Sequence, residues 1–459
     1  MEIAPNSGSA AVNAGSLDSR AFLRQGSTKS CASSFAAENV ALEYAASGDG
    51  ESEPATVPLT TEFSASINLT KNLVGSGIFT LPLALSKATV LPGLLMMVFI
   101  GTLCGGSFIL IAFLCRTLKV TSYRELGAKS FGPLTAFLID LSIFLNAMFA
   151  CLAYVILVLD FFENSIPQLT GLILPRWQLL IIDTLLFILP LSLIKDLSPL
   201  RIPSMIGLLI IAYIFFYVVG DWVFQFDQSI ANFESCFFEF KFGIFFSASV
   251  FTGAFKAHYN SPTFYRELGE NLGSHARVVR NSYISAFILY SLFAIGGFGI
   301  FGPTVEGNIL KNYGSGEGGP SVPILVALLG MAFAITLTYP LVFNSGRGAL
   351  YGLVPALEQA KSSNPQQVHI MLTTAMVTAI SAAGCVVSNV QIVLGLTGAT
   401  IGMALCFILP AVSFLKVALS ESGPTITHAK PLIAFSILLL AFGSMSVVVG
   451  TLVVLGVIS

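Results

Sequence analysis

Long apolar runs decide what this chain can fold into. Stretches of about 18 or more residues with few charges recur along its 459 residues, and each is long enough to cross roughly 30 Å of hydrocarbon. Lipid offers no water to a backbone amide, so spans of this length have to be helices. Composition agrees. Apolar residues make up 55% and charged residues 10%, whereas a soluble domain carries about 25% charged residues. The net charge of −2 gives no pointer to nucleic acid as a partner.

The expectation is therefore an all-α polytopic membrane protein with eleven transmembrane helices. They fall near 64–88, 92–115, 133–160, 177–195, 201–221, 241–261, 280–302, 321–345, 368–388, 390–415 and 431–456. Residues 1–60 read as a disordered cytosolic tail, rich in Ser, Ala, Gly, Asn and Glu. The tail lacks the basic and apolar regions of a signal peptide. Residues 61–459 then form the transmembrane domain. Charge placement tests the count. With a cytosolic N-terminus, 17 of the 22 basic residues fall on the cytosolic side, the asymmetry that orients membrane proteins. The C-terminus is then extracytosolic. Most of the seven cysteines lie in apolar runs, where a thiol acts as a small hydrophobe, so no disulfide framework is expected.

Two spans break the hydropathy rule. The first contains Lys71, Asn72, then Gly75-Ser76-Gly77, then Pro82. A lysine at mid-helix costs about 2.5–3.5 kcal/mol on insertion scales. Such a helix belongs inside a bundle, lining a cavity. Glycines around a serine let the chain leave helical geometry. The second half-helix would then offer amides near Ser76, Gly77 and Ile78 to an α-carboxylate. The first half would offer carbonyls near Asn72 and Leu73 to a cation or an ammonium group. The plain alternative is that the glycines only allow close helix packing. The sixth span repeats the pattern. Thr252-Gly253 interrupts it, Phe255 follows, and Lys256, His258, Asn260 and Pro262 come next. Two interrupted helices at matching places point to an inverted-repeat transporter with its substrate near the midplane. Five helices repeated once, plus one extra, account for eleven.

At these residues the chain resembles the amino acid/auxin permease family, which includes neutral (system A and N), proton-coupled and vacuolar amino acid transporters. The carriers are KNLVGSGIFTLPLA (71–84), SYRELGAKSFG (122–132), AHYNSPTFYREL (257–268), TLTYPLVFNSGR (336–347) and VLGLTGATIGMALCFILPA (393–411). The resemblance covers about residues 60–456. It implies a LeuT-type 5+5 inverted repeat and amino acid substrates. It also implies that Asn72 serves substrate and ion, that Gly75, Ser76 and Gly77 are the break, and that Thr336 and Thr338 lie near the ion site. Lys71 matches proton-coupled and vacuolar members, whereas AHYNSPTFYREL is closer to the system A and N pattern. The coupled ion stays open between proton and sodium, and the membrane between vacuole or lysosome and plasma membrane.

The expected mechanism is secondary active transport of amino acids, neutral ones first, by alternating access. Substrate-binding candidates are Asn72, Leu73, Gly75, Ser76, Gly77, Ile78, Thr252, Gly253 and Phe255. Ion-coupling candidates are Asn72, Thr336 and Thr338. His258 is a pH-sensing or gating candidate because histidine titrates near neutrality. Lys71 and Asp140 of the third span are further gating or pH-sensing candidates, expected to pair with each other, the alternative being that Lys71 snorkels to the cytosolic interface. Arg347, Arg266 and Glu267 read as interfacial anchors, and Gly398 with Gly402 as a packing pair in the tenth span. No cofactor or resident metal is expected beyond the co-transported proton or sodium ion. The partners are an amino acid and the bilayer, with the monomer as the working unit. A membrane enzyme would need a metal cluster or carboxylate pair, and no such motif is present. An amino acid sensor signalling through the tail is the other class the sequence allows.

Overall fold

The structure, a computed structural model, describes residues 59–194, 201–315, 319–420 and 429–458. The predicted tail lies outside the described residues except for its last two positions. Among the described residues nine helices are long and apolar enough to cross a membrane. They coincide with nine of the predicted spans. The other two predicted spans, the first and the sixth, are each built from shorter pieces.

In the first, α1 (Glu62–Leu73) is followed by a 3₁₀ turn (Ser76–Thr80) and α2 (Leu81–Ala88). Thr61 starts α1 by accepting the Ser64 amide at 3.2 Å, and Pro82 sits in the first turn of α2, where a missing N–H costs nothing. Then come α3 (Val90–Leu118), the short α4 (Tyr123–Phe131) and α5 (Pro133–Thr170). Gly132, at φ +86°, turns the chain between α4 and α5, a conformation that favours glycine. The fourth span is α6 (Arg176–Asp183), a π turn (Thr184–Ile188) and α7 (Leu189–Leu193). The fifth is α8 (Arg201–Phe224), and α9 (Phe226–Ser235) follows it.

The sixth span mirrors the first. Its pieces are α10 (Gly243–Ala254), a 3₁₀ turn (His258–Asn260) and α11 (Ser261–Glu267). Next are α12 (Leu272–Phe301), the short α13 (Ile309–Gly314), α14 (Val322–Leu353), α15 (Pro355–Ser363) and α16 (Pro365–Val386). The tenth span is α17 (Val390–Thr397), two π turns (Gly398–Gly402 and Ala404–Ile408) and α18 (Leu409–Ala418). The last is α19 (Ala429–Val454).

The two interrupted segments run antiparallel and are tied at both ends. At one end the Leu59 amide donates to the Glu267 carbonyl at 2.8 Å. At the other the amides of Val90 and Leu91 donate to the carbonyls of Cys236 and Phe237, each at 3.0 Å. There the Thr89 hydroxyl also donates to the Glu239 carbonyl at 2.8 Å. Between these ends Ser247 donates to the Ala84 carbonyl at 2.6 Å. Helix α12 backs the pair, with Ser282 bonded to the Ser66 carbonyl at 3.0 Å and Arg277 ion-paired to Glu62 at 2.5 Å. On the other side of the bundle α5 and α14 make the most extensive helix contact.

The glycine pair of the tenth span packs as expected. A Cβ on Gly398 would run into the backbone carbonyl of Ser249, while one on Gly402 would meet Thr252 Cγ2 at 3.3 Å. Backbone cannot step aside as a side chain can. Gly398→Ala should therefore cost about 1–3 kcal/mol of stability as overpacking, and Gly402→Ala clearly less. Thermal unfolding of the detergent-solubilised variants measures the difference, and equal midpoints would refute this account of the contact.

Candidate functional site

The first break lies where the sequence puts it. α1 ends at Val74, whose backbone is extended (ψ 97°), and Gly75 is extended as well. The Ile78 amide donates to the Gly75 carbonyl at 3.1 Å. Of the three amides expected to face a carboxylate, that one is committed. Those of Ser76 and Gly77 have no acceptor among the described residues. A Cβ built on Gly75 or Gly77 would meet nothing within 4 Å. Open space adjoins the break.

The second break comes later than predicted. α10 runs through Thr252 and Gly253 to Ala254, and the irregular backbone is Phe255–Ala257. The reason is local. The Thr252 hydroxyl bonds back to the Ala248 carbonyl at 2.8 Å, which keeps it helical, and a Cβ on Gly253 would meet only the Gly398 Cα, at 4.0 Å. Gly253 is helical and not the hinge.

Each break orphans carbonyls, and α12 supplies the donors. The Tyr290 hydroxyl donates to the Leu73 carbonyl at 2.5 Å and lies 3.0 Å from the Ala254 carbonyl. One proton thus faces the ends of both first half-helices. One turn-pair earlier, the Tyr283 hydroxyl donates to the Phe255 carbonyl at 3.1 Å. Its ring stacks on Phe255, with centroids 5.8 Å apart. Both tyrosines are buried. Sequence reasoning missed them because aromatics in an apolar run read as core. Their hydroxyl positions, seven residues apart on one face, were the available signal. Tyr290→Phe should lower stability by about 1–3 kcal/mol by leaving buried carbonyls unpaired. Thermal unfolding checks it, and an unchanged midpoint would show that water or relaxation replaces the hydroxyl.

The remaining predicted residues are scattered. Asn72 is exposed. Thr336 is buried, and Thr338 bonds back to the Ala334 carbonyl at 2.7 Å. Asp140 is ion-paired with Arg124 of α4 at 3.1 Å, and its oxygen lies against Gly352 of α14. The expected Lys71–Asp140 pair is thus replaced by Arg124–Asp140, because α4 brings its arginine across the start of α5. Lys256 lies in the irregular backbone of the second break itself. Its ammonium is bonded to Asn146 of α5 at the second break. Arg347 is buried and held by three neutral oxygens, Ser192 carbonyl, Thr373 hydroxyl and Asn344 amide. It is a cross-brace between the fourth, eighth and ninth spans and not a surface anchor.

His258 is fully buried. His258 Nε2 lies 3.1 Å from the Cys104 carbonyl, which can only accept, so Nε2 carries the proton, with Ser107 Oγ 2.7 Å away on the same side. Nδ1 then accepts from the Cys406 thiol at 3.1 Å. This network ties the second, sixth and tenth spans together. The ligand atoms of Cys104, His258 and Cys406 lie within 4.8 Å of one another, the donor set a soft metal takes. Hydrogen bonding already occupies both ring nitrogens. The cysteines went unremarked in the sequence because each looks like a small hydrophobe.

With this geometry in place, comparison with known proteins is informative. Residues 59–456 match the family described as transmembrane amino acid transporter protein. The chain belongs to that family. It is 28% identical over 363 residues to vacuolar amino acid transporter 5 of Schizosaccharomyces pombe, covering 76% of this chain and 82% of that one. It is 26% identical over 358 residues to a Danio rerio protein provisionally named sodium-coupled neutral amino acid transporter 11, covering 76% and 77%. Among solved structures, a Na⁺-coupled sialic acid symporter in a substrate-bound outward-open state aligns with 14% identity and a TM-score of 0.47. That alignment covers 93% of this chain and 96% of the symporter. Likeness at that level leaves the fold argument resting on the helices themselves. The protein is a multi-pass membrane amino acid transporter, and its relatives are transporters rather than enzymes.

One titratable group of the transporter lies beside the first–sixth clasp and beyond the predicted membrane span. Burial pushes the Glu267 carboxyl up to about 7, with Arg266 beside it pulling the other way. Its folded value is raised above the ordinary carboxylate range. Between the two values the native state therefore holds a proton that the unfolded state has lost. Stability must fall as pH rises through that window. Glu267→Gln should flatten this loss, read as unfolding midpoints from about pH 5 to about pH 8. A variant whose profile parallels the parent would sink the assignment.

Proposed function

We propose that this transporter moves amino acids, neutral ones first, by alternating access through a site between the two breaks. The chain crosses the membrane eleven times in this reading, the first five crossings and the next five forming an inverted LeuT-type repeat. The matching make-up of the two broken segments supports it. Each has a twelve-residue helix, a 3₁₀ turn, and a second helix of eight residues in α2 or seven in α11.

The observation that carries the reading is the shared tyrosine. Tyr290 has one hydroxyl proton for two carbonyls, Leu73 and Ala254. That leaves acceptor capacity that an ammonium group, with its three donors, would fill. The substrate carboxylate goes to the unpaired amides of Ser76 and Gly77, and its side chain to the open space beside Gly75 and Gly77. Thr336 and Thr338, with Asn72, are the proposed ion-coupling residues. Thr336 has a specific qualification. Pro340 lacks an N–H, so the Thr336 carbonyl loses its partner in α14. The gradient is of protons or sodium. The vacuolar relative favours a vacuolar membrane, with the N-terminus in the cytosol and the C-terminus opposite.

The test is uptake of radiolabelled amino acids by proteoliposomes under an imposed proton gradient and then a sodium gradient. Gly77→Ala and Gly77→Val are the decisive variants. An alanine Cβ meets no protein atom within 4 Å there, so Gly77→Ala should fold as well as the parent. Uptake should nevertheless drop tenfold or more, and further with valine. Full uptake by both variants would remove the substrate from this break.

A further inference from the structure

Asp183 is the charge in this molecule with no visible reason to be where it is. It closes α6, roughly 10 Å along the fourth span from Arg176, and is 1% exposed. Among the described residues neither of its carboxylate oxygens has a hydrogen-bond partner. Tyr339 of α14, also 1% exposed, carries a second unpaired polar atom, its hydroxyl. The two side chains are within electrostatic reach of each other. A π turn, Thr184–Ile188, starts at the next residue, and such turns mark functional positions in helices.

The neighbours leave the carboxyl uncompensated. From the third span, Cys151 sits near Tyr339, while Asp140 and Asp160 are taken by Arg124 and Arg176. From the ninth span, Ser381 is bonded to Thr184 at 3.0 Å. The titratable groups of α16 are His369, which bonds the Leu193 carbonyl, and the exposed Cys385. On α14, Arg347 lies about two turns beyond Tyr339 and is held by Ser192, Thr373 and Asn344. An ionised carboxylate at this depth with no cation and no donor is costly. A neutral carboxyl costs far less.

We propose that Asp183 is the proton-carrying group of this transporter. The inference rests on the secondary-transport reading above. The carboxyl takes a proton from the aqueous phase on one side and, after the bundle rearranges, releases it on the other.

The experiment uses the full chain in proteoliposomes, comparing the parent with Asp183→Asn, Asp183→Glu and Tyr339→Phe. Two uptake modes are read side by side, accumulation driven by a pH gradient and counterflow exchange with no gradient. For one proton per substrate, one pH unit supports about tenfold accumulation. The parent should reach that level. Asp183→Asn should keep counterflow and lose the gradient-driven part. Asp183→Glu should keep both, with a displaced pH profile, and Tyr339→Phe should displace the profile without abolishing coupling. Parent-like gradient-driven accumulation in Asp183→Asn overturns the proposal. So does accumulation by the parent that follows sodium alone.

Infrared difference spectra of the parent, with and without amino acid, give an independent readout. A protonated-carboxyl band that changes with pH and shifts in Asp183→Glu supports the assignment, even if Asp183→Asn does not fold. Absence of that band overturns it. A parent that shows no uptake under any gradient instead defeats the transport reading, and the infrared band then decides the Asp183 assignment by itself.

Discussion

Everything in this fold follows from one constraint: a backbone carbonyl in a membrane must find a donor inside the protein. Intact helices meet it automatically. A helix that opens in mid-membrane does not, and this chain opens two. The cost is met by hydroxyls from an intact neighbour. Tyr290 serves Leu73 and Ala254, and Tyr283 serves Phe255. The same device recurs at the π turns of the tenth span, where Tyr123 of α4 bonds the Leu405 carbonyl at 2.8 Å. At each of the first, sixth and tenth spans a buried tyrosine thus bonds a carbonyl at an irregular turn. The breaks are thereby fixed in place while their amides stay available.

That arrangement sets what a transport cycle would have to undo. The broken segments are joined at both ends by backbone bonds and in the middle by Tyr290, so neither moves alone. Motion has to carry both, with α12 behind them, against the α5–α14 pair. At the Leu59 end the clasp includes Glu62, whose carboxyl is pulled down to about 2, chiefly by its hydrogen bond to Arg277. A depressed carboxyl contributes while ionised, and its contribution fades only as pH falls from the ordinary carboxylate range through about 2. That link is insensitive to any physiological pH change. Glu267, in the same clasp, has the opposite displacement, so pH sensitivity at this end belongs to it.

The sequence was legible where composition and period carried the message. Nine long helices, the first break at Gly75-Ser76-Gly77 and the packing role of Gly398 and Gly402 were all readable from residue type. The second break was placed too early because Thr-Gly looks like an interruption. Whether threonine breaks a helix or bonds back to the fourth residue before it depends on its neighbours, and here the Ala248 carbonyl takes the hydroxyl and the helix continues. Pairing was the least legible feature. Asp140 went to Arg124 because a short helix folds back over the start of α5, which no periodicity reveals. The tyrosines and the Cys104–His258–Cys406 network were hidden for a related reason. In an apolar run a hydroxyl, a thiol or a ring nitrogen has no meaning until its partner, 36 or 148 residues away, is known.

Polar satisfaction is therefore distributed unevenly, and the unevenness is informative. Around the breaks the orphaned carbonyls find tyrosine donors, while the Ser76 and Gly77 amides stay open. The fourth and eighth spans differ. Among the described residues Asp183 has no hydrogen-bond partner, and Pro340 strips the Thr336 carbonyl of its own. Arg347, two turns away, is satisfied only by neutral oxygens. A uniformly rigid scaffold would gain by replacing such groups with apolar ones, because buried charges rarely add net stability. Asp183 sits at a π turn and Tyr339 at a proline, each where the regular bonding of its helix changes. Tyr290 and Tyr283 fix the backbone at the two breaks, whereas nothing among the described residues fixes the Asp183 carboxyl.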